Sequence, residues 1–236
     1  MSDSRIQQCI DRPSTDGRRG RVWPGLVAVL LIAGTAALQA ADEASLIAPE
    51  HRLVPETPAW RELGERFQRR GDVVADFEEQ RHFPFRAEPV VLRGEVRVSA
   101  QRGLSLHYTA PQERTVIIDA DGMLLREATG GNSAPPDPRA NLANAALLHV
   151  LNLDFSALVA GYELYGRIDG ETWSLGLVPR DPAVRRAIGN ILVSGAGESV
   201  RRIELRRSAR QHIDIAIDAP RATPAFTGEE AARFFR

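Results

Sequence analysis

Few groups in this chain have the type and spacing to do chemistry. Glu78 and Glu79 adjoin Arg81, and two carboxylates beside a guanidinium could serve as general acid and base. On a strand, a charged face turned to solvent is the simpler reading of the same residues. Five histidines (His51, His82, His107, His149 and His212) stand far apart, and none has a partner at metal-ligand spacing. Only a constellation gathered in three dimensions would make one of them a ligand. The stretches "GLSLH" and "GNSAP" lack the second glycine and the strand-to-helix setting of a nucleophile elbow. In "GAGESV" Val200 occupies the position where a dinucleotide-binding turn needs its third glycine. "DADG" (119–122) lacks the distal Glu of a calcium loop and reads as a β-turn. No catalytic residue, no metal and no cofactor is therefore expected.

The elements that would hold any site begin after an unusual N-terminus. "RRGR" (Arg18 to Arg21) precedes an apolar run from Val22 to Leu38, then small residues and acid. That order is a secretory signal, with cleavage expected after Ala40 despite the bulky Leu38; the alternative is a retained anchor at the short limit for a span. The chain beyond it is expected in the periplasm. The only cysteine, Cys9, lies in the leader, so the exported part would have neither disulfide nor thiol nucleophile. A formal net charge of -1 over 236 residues, with arginines scattered along the chain, argues against nucleic acid as a partner. The length suits one domain: residues 1–40 signal peptide, 41–56 linker, 57–236 a single domain.

Within that domain Thr57 and Pro58 open a helix whose Trp60, Leu63 and Phe67 share a face until Gly71. From Asp72 the period changes to two. "GDVVADFEEQ", "VVLRGEVRVS", "GLSLHYTAP", "RTVIID" and "MLLRE" are five half-buried antiparallel strands, with Leu104, Leu106 and Tyr108 on one face of the third. A Gly/Pro-rich stretch leads to "NLANAALLHVLNLDFSALVAGY", apolar almost all round, with Asp154 placed to cap a second short helix. Such a helix needs cover on most sides, from protein or from ligand. A hairpin around Asp169-Gly170 follows, with Trp173, Leu175 and Leu177 aligned, then three more strands and a terminal helix with a Thr227/Glu230 capping box. The plan is α+β: a long antiparallel sheet with helices gathered on one side.

The residues that fill this plan resemble a family. Trp60 and Leu63 in the first helix, then "DFEEQ" (76–80), "LRGEVRV" (92–98), "LHYTAP" (106–111), "VIIDADG" (116–122) and "WSLGLVPRD" (173–181), in that order behind a signal peptide, are similar to the LolA family of periplasmic outer-membrane lipoprotein carriers. The likeness spans residues 57 to 218. It implies an unclosed antiparallel half β-barrel with helices covering its concave apolar face, and a groove lined by Phe77, Leu92, Val96, Leu104, Leu106, Tyr108, Val116, Ile118, Trp173 and Leu175. Leu142, Leu147, Leu148, Leu151 and Phe155 would then belong to the lid. The family carries an aromatic residue and a nearby lid-fastening Arg in the segment matching "QRGLSLHY"; here Leu106 fills the aromatic slot, and Arg102 matches the latch on a shifted alignment. The chain thus looks like a divergent branch.

The resemblance implies a monomeric carrier that takes an acylated lipoprotein or another lipid from an inner-membrane transporter toward an outer-membrane acceptor. Two alternatives stay open: a half-barrel sensor or scaffold of envelope lipids without transfer, and an envelope hydrolase.

Overall fold

The computed structural model of the protein describes residues 45–128, 131–133 and 146–236. The leader, Leu142 and much of the Gly/Pro-rich stretch lie outside the described residues. The alternating segments become β1 (Asp72–His82), β2 (Val90–Ser99), β3 (Gly103–Ala110), β4 (Arg114–Asp119) and β5 (Gly122–Glu127), followed by a two-residue β6 (Asn132–Ser133). Beyond the crossing come β7 (Tyr162–Asp169), β8 (Thr172–Pro179), β9 (Asn190–Ala196), β10 (Ser199–Ser208) and β11 (Gln211–Thr223).

All these strands join one sheet in the order β6-β5-β4-β3-β2-β1-β11-β10-β9-β8-β7. The chain starts at the centre, works outward to one edge, crosses over, and works back until β11 pairs antiparallel with β1. Among the described residues the edge strands β6 and β7 do not pair with each other, so the barrel is open on one side.

Five helices complete the described structure: α1 (Pro58–Arg69), α2 (residues 146–152), α3 (Phe155–Gly161), α4 (Pro182–Ile188) and α5 (Gly228–Phe234). In α1 the expected Trp60, Leu63 and Phe67 are the buried stripe. Thr57 takes the N-cap position, but its hydroxyl donates to the Val54 carbonyl at 2.9 Å instead of accepting from the helix. Asp154 caps α3 by accepting from the Ala157 N–H. The short α4 was not among the expected helices, although Asp181 as cap, Pro182 in the first turn and Gly189 at φ 76° bracket it in the usual way.

One main core lies on the concave face, where α1, α2 and α3 pack against inward-pointing residues of β1–β5 and β7–β11. The last helix departs from the expected one-sided arrangement. α5 lies on the opposite, convex face, where Phe226, Phe234 and Phe235 form a separate cluster with Val74, the outward neighbour of the inward Val73. Arg97 stacks under the Phe234 ring at 3.5 Å and His107 meets its edge at 5.3 Å. Arg126 donates to the carbonyls of Arg233 and Phe235 at 2.6 and 3.1 Å, and the Arg236 guanidinium pairs with Asp119 at 2.9 Å.

The segment expected to be a linker is also packed from residue 45. Leu46 and Ile47 lie close against Gly176 of β8, Arg52 bridges to Tyr165 on edge strand β7, and Leu53 is buried in the concave core beside Gly166. It wraps around the β7 edge.

Candidate functional site

Strand pairing gathers the expected groove residues into continuous rows, because directly opposed residues of antiparallel neighbours share a face. One row runs Ala75, Val96, Leu106, Val116, Leu125 across β1 to β5. The next runs Val73, Val98, Leu104, Ile118, Met123. From the other half of the sheet Leu175, Val193, Ile203 and Ile215 align and continue into Glu79 and Leu92. Phe77, Tyr108 and Trp173 complete the lining, and every one of the ten expected groove residues is buried in the concave core. Trp173 can lie flat on the sheet because Gly195 opposite it has no side chain: a Cβ there would sit 2.2 Å from the indole. Its Nε1 donates to the Gly197 carbonyl at 3.0 Å, and its ring meets Phe67 of α1 edge-on.

The roof over these rows is α2 with the start of α3. Leu147, Val150, Leu151 and Leu153 are buried against the sheet, while Leu148 and Phe155 are partly buried, the latter edge-on to Trp60 at 5.9 Å. The roof fills the trough. A cavity of about 90 Å³ remains between Arg70, Val73, Leu151, Val200 and Ile217, well short of the roughly 300 Å³ at which ligand pockets begin. A larger cleft opens at the end of the barrel between Ile118 and Met123 of the trough and Leu148 of α2, so it is a ligand lying along the filled middle of the trough that requires α2 to move.

The side chains that fasten α2 come from the end of α1. The Arg70 guanidinium donates from Nη2 to the Leu151 carbonyl and from Nη1 to the Glu198 carbonyl at 2.7 Å, and Gln68 donates to the Asn152 carbonyl at 3.1 Å. Burial pushes the Arg70 guanidinium down to about 10, against a weaker upward pull from Glu198; it stays charged at neutral pH. Arg102 lines the cleft of about 800 Å³ at the end of the barrel, near Leu148, His149 and Asn152 of α2. Among the described residues it makes no hydrogen bond or ion pair. In this closed arrangement the bonds to the roof come from Arg70 and Gln68, which the sequence did not single out: their acceptors are main-chain carbonyls more than eighty residues away.

Glu79 departs from the sequence reading. Only Glu78 of the pair points outward, donated to by Arg93 and Gln80. Glu79 is 4% exposed inside the trough, accepting from the Tyr108 hydroxyl at 2.7 Å and from Arg81 Nε. Burial and the neighbouring Glu79 charge both push the Tyr108 phenol up, so it stays protonated and keeps donating. The signal was present in the alternation, since residues 73, 75, 77 and 79 share one parity. Of the histidines, His82 and His212 come together as a stacked cross-strand pair with centroids 4.1 Å apart on the convex face.

An open antiparallel half barrel whose apolar trough is roofed by a helix defines a class of trough-and-lid proteins. Within that class the assignment is direct: the profile of the family described as outer membrane lipoprotein carrier protein LolA-like matches residues 60–234, and the chain belongs to that family. Among solved structures, a LolA superfamily protein from Nitrosomonas europaea is similar at 8% identity and a TM-score of 0.38, over 75% of this chain and 97% of that one. A chain of the MucA/MucB complex from Pseudomonas aeruginosa aligns at 14% identity and 0.41, over 73% and 59%. LprF from Mycobacterium bovis aligns at 14% and 0.31, over 70% and 98%. No curated protein sequence matches the chain.

Proposed function

We propose that the protein is an exported carrier that shelters the acyl chains of a lipoprotein or other lipid against the concave face, beneath α2, and passes them toward the outer membrane. It acts by binding, and no chemical step is required of it. The observation that carries this reading is a trough of apolar rows, interrupted by the Glu79–Tyr108–Arg81 group and closed by a helix that is itself apolar. Among the described residues, Arg70 and Gln68 supply the side-chain hydrogen bonds that reach α2 and its end from α1.

Magnitudes support an exchange. The four buried apolar side chains at positions 147, 150, 151 and 153 contribute on the order of 8–10 kcal/mol if each is worth about 2–2.5. An acyl chain of about sixteen carbons gains on the order of 12 kcal/mol on leaving water. The two are close enough for cargo to displace the roof and for the roof to displace cargo, as reversible loading requires. The first forty residues support export to the periplasm; the donor and acceptor would be an inner-membrane transporter and an outer-membrane receptor.

Native mass spectrometry of the protein recovered from the cell envelope tests the reading. A stoichiometric acylated adduct that moves to acceptor vesicles is expected. A clean unliganded mass from several envelope preparations would overturn it, and an adduct that never leaves would convert the carrier into a sensor.

A further inference from the structure

The two ends of the barrel carry opposite charge. At one end the turns of residues 119–122, 169–171 and 196–199 bring Asp119, Asp121, Asp169, Glu171 and Glu198 to the rim, against Arg70, Arg102 and Arg236, of which Arg236 pairs with Asp119. At the other end β1, β10 and β8 all finish, with the starts of β11 and β9 between them, as the pairings His82 with His212 and Arg206 with Asn190 require. There the β1–β2 loop presents Arg86, the β10–β11 turn presents Arg207 and Arg210, and α4 presents Arg185 and Arg186, all exposed. None of these five makes an ion pair or side-chain hydrogen bond among the described residues. The acidic groups at this end are Glu88, Glu113, Glu127, Glu163 and Asp181, of which Glu163 faces Arg180 and Asp181 is committed to capping α4.

At the β1–β2 end of this basic rim stands an aromatic tip. The loop "HFPFR" turns back on itself through a hydrogen bond from the Arg86 N–H to the Phe83 carbonyl at 3.2 Å, with Pro84 in the second position of the turn. The turn stacks the rings of Phe83 and Phe85 with centroids 5.4 Å apart, and Phe85 is 81% exposed. No other described large apolar side chain is so exposed; Val54 comes next at 53%. A preformed apolar tip on the same rim as unpaired guanidinium groups matches the interface of an anionic bilayer, where rings enter the headgroup layer and arginines meet phosphates.

We infer that the rim formed by the β1–β2 loop, the β10–β11 turn and α4 docks the protein onto anionic membrane surfaces, with Phe85 as the inserted residue. The surface lies outside the trough, and the inference stands without the carrier reading. A protein partner with an acidic surface would also engage the arginines and would cover the ring, but only a bilayer places the ring in lipid hydrocarbon.

The test is co-sedimentation of residues 41–236, which hold every described element of the sheet and its covers, with phosphatidylcholine vesicles made with and without phosphatidylglycerol. Association is expected only with the anionic vesicles, falling as salt is raised. Phe85→Ser should weaken it about tenfold, and the double substitution Arg207→Ala, Arg210→Ala about twentyfold or more, from about fivefold per arginine near a charged surface. A Phe85→Trp variant reads insertion directly: quenching by brominated lipid is expected over the constant emission of the buried Trp60 and Trp173. Equal binding to both vesicles, indifference to the substitutions, or no quenching would overturn the inference. Absence of binding to either vesicle would also overturn it and hand the arginines to an acidic protein partner. Lipid retained by the protein after the vesicles are removed reports the trough separately, so either reading can fail alone.

Discussion

The two faces of the one sheet are covered in opposite ways. On the convex face α5 is tied down by directional contacts: Arg126 to two terminal carbonyls, Arg236 to Asp119, and the Arg97 guanidinium under Phe234. On the concave face α2 rests on apolar side chains, with Arg70 and Gln68 holding its last carbonyls. Directional bonds specify one partner and one position, whereas apolar burial accepts any surface of similar size. The difference separates a cover fixed by specific partners from one held mainly by burial, and the second kind is what the proposed exchange needs.

The sharpest way to break this contrast is Leu106→Glu. A carboxylate in the middle of the central row should abolish lipid capture, by a factor of one hundred or more, while far-UV dichroism still reports the sheet, because the roof can lift and let water reach the new group. If the sheet unfolds instead, position 106 is permanent core and the trough is not an exchangeable site. The matching change on the other face is Phe234→Ala. It should cost about 3 kcal/mol in denaturant unfolding and leave lipid capture unchanged; a loss of capture would show that the faces are coupled. Next in size, Arg70→Ala should speed amide hydrogen exchange across residues 146–152 by roughly tenfold, the effect of about 1.5 kcal/mol for a charged hydrogen bond, with Arg102→Leu as the comparison. Should Arg102→Leu have the larger effect, the latch belongs at Arg102.

The smallest effect concerns pH. Burial, aided by Arg233 and Arg97 and opposed by Glu113 and Glu95, holds the His107 imidazole below its ordinary 6.5. The unfolded chain then binds a proton in a range where the folded one does not, so stability is complete above about 6.5 and declines as pH falls from there toward the folded value. A decrease of a few tenths of a kcal/mol is expected at pH 5.5, removed by His107→Gln. A rise in stability on acidification would reverse the assignment.

Much of the fold was legible because strands half-buried in one sheet write their faces into alternate residues. The ten expected groove positions all reach the concave core for this reason. The charge of Glu79 hid its parity, and a buried carboxylate is recognisable only once Tyr108 and Arg81 stand beside it. The capping box of α5 was readable, since Thr227 and Glu230 are three residues apart. Its face was not: Phe226, Phe234 and Phe235 would suit either side of a sheet, and the choice is made by Arg97 and His107, more than a hundred residues earlier. Arg70 escaped notice because a main-chain carbonyl has no sequence signature.

The strand order has a mechanical consequence. The seam between β1 and β11 closes the middle of the sheet, while among the described residues no ladder pairs β6 with β7 and the two halves are otherwise linked by the helices packed on the concave core. Spreading the two edges breaks no ladder hydrogen bond. It changes the coil and twist of the sheet and the fit of the roof helices against it. Among the described residues, the unpaired opening between β6 and β7 is therefore the weakest line of the sheet, and the β1–β11 seam is the line that holds its two halves together.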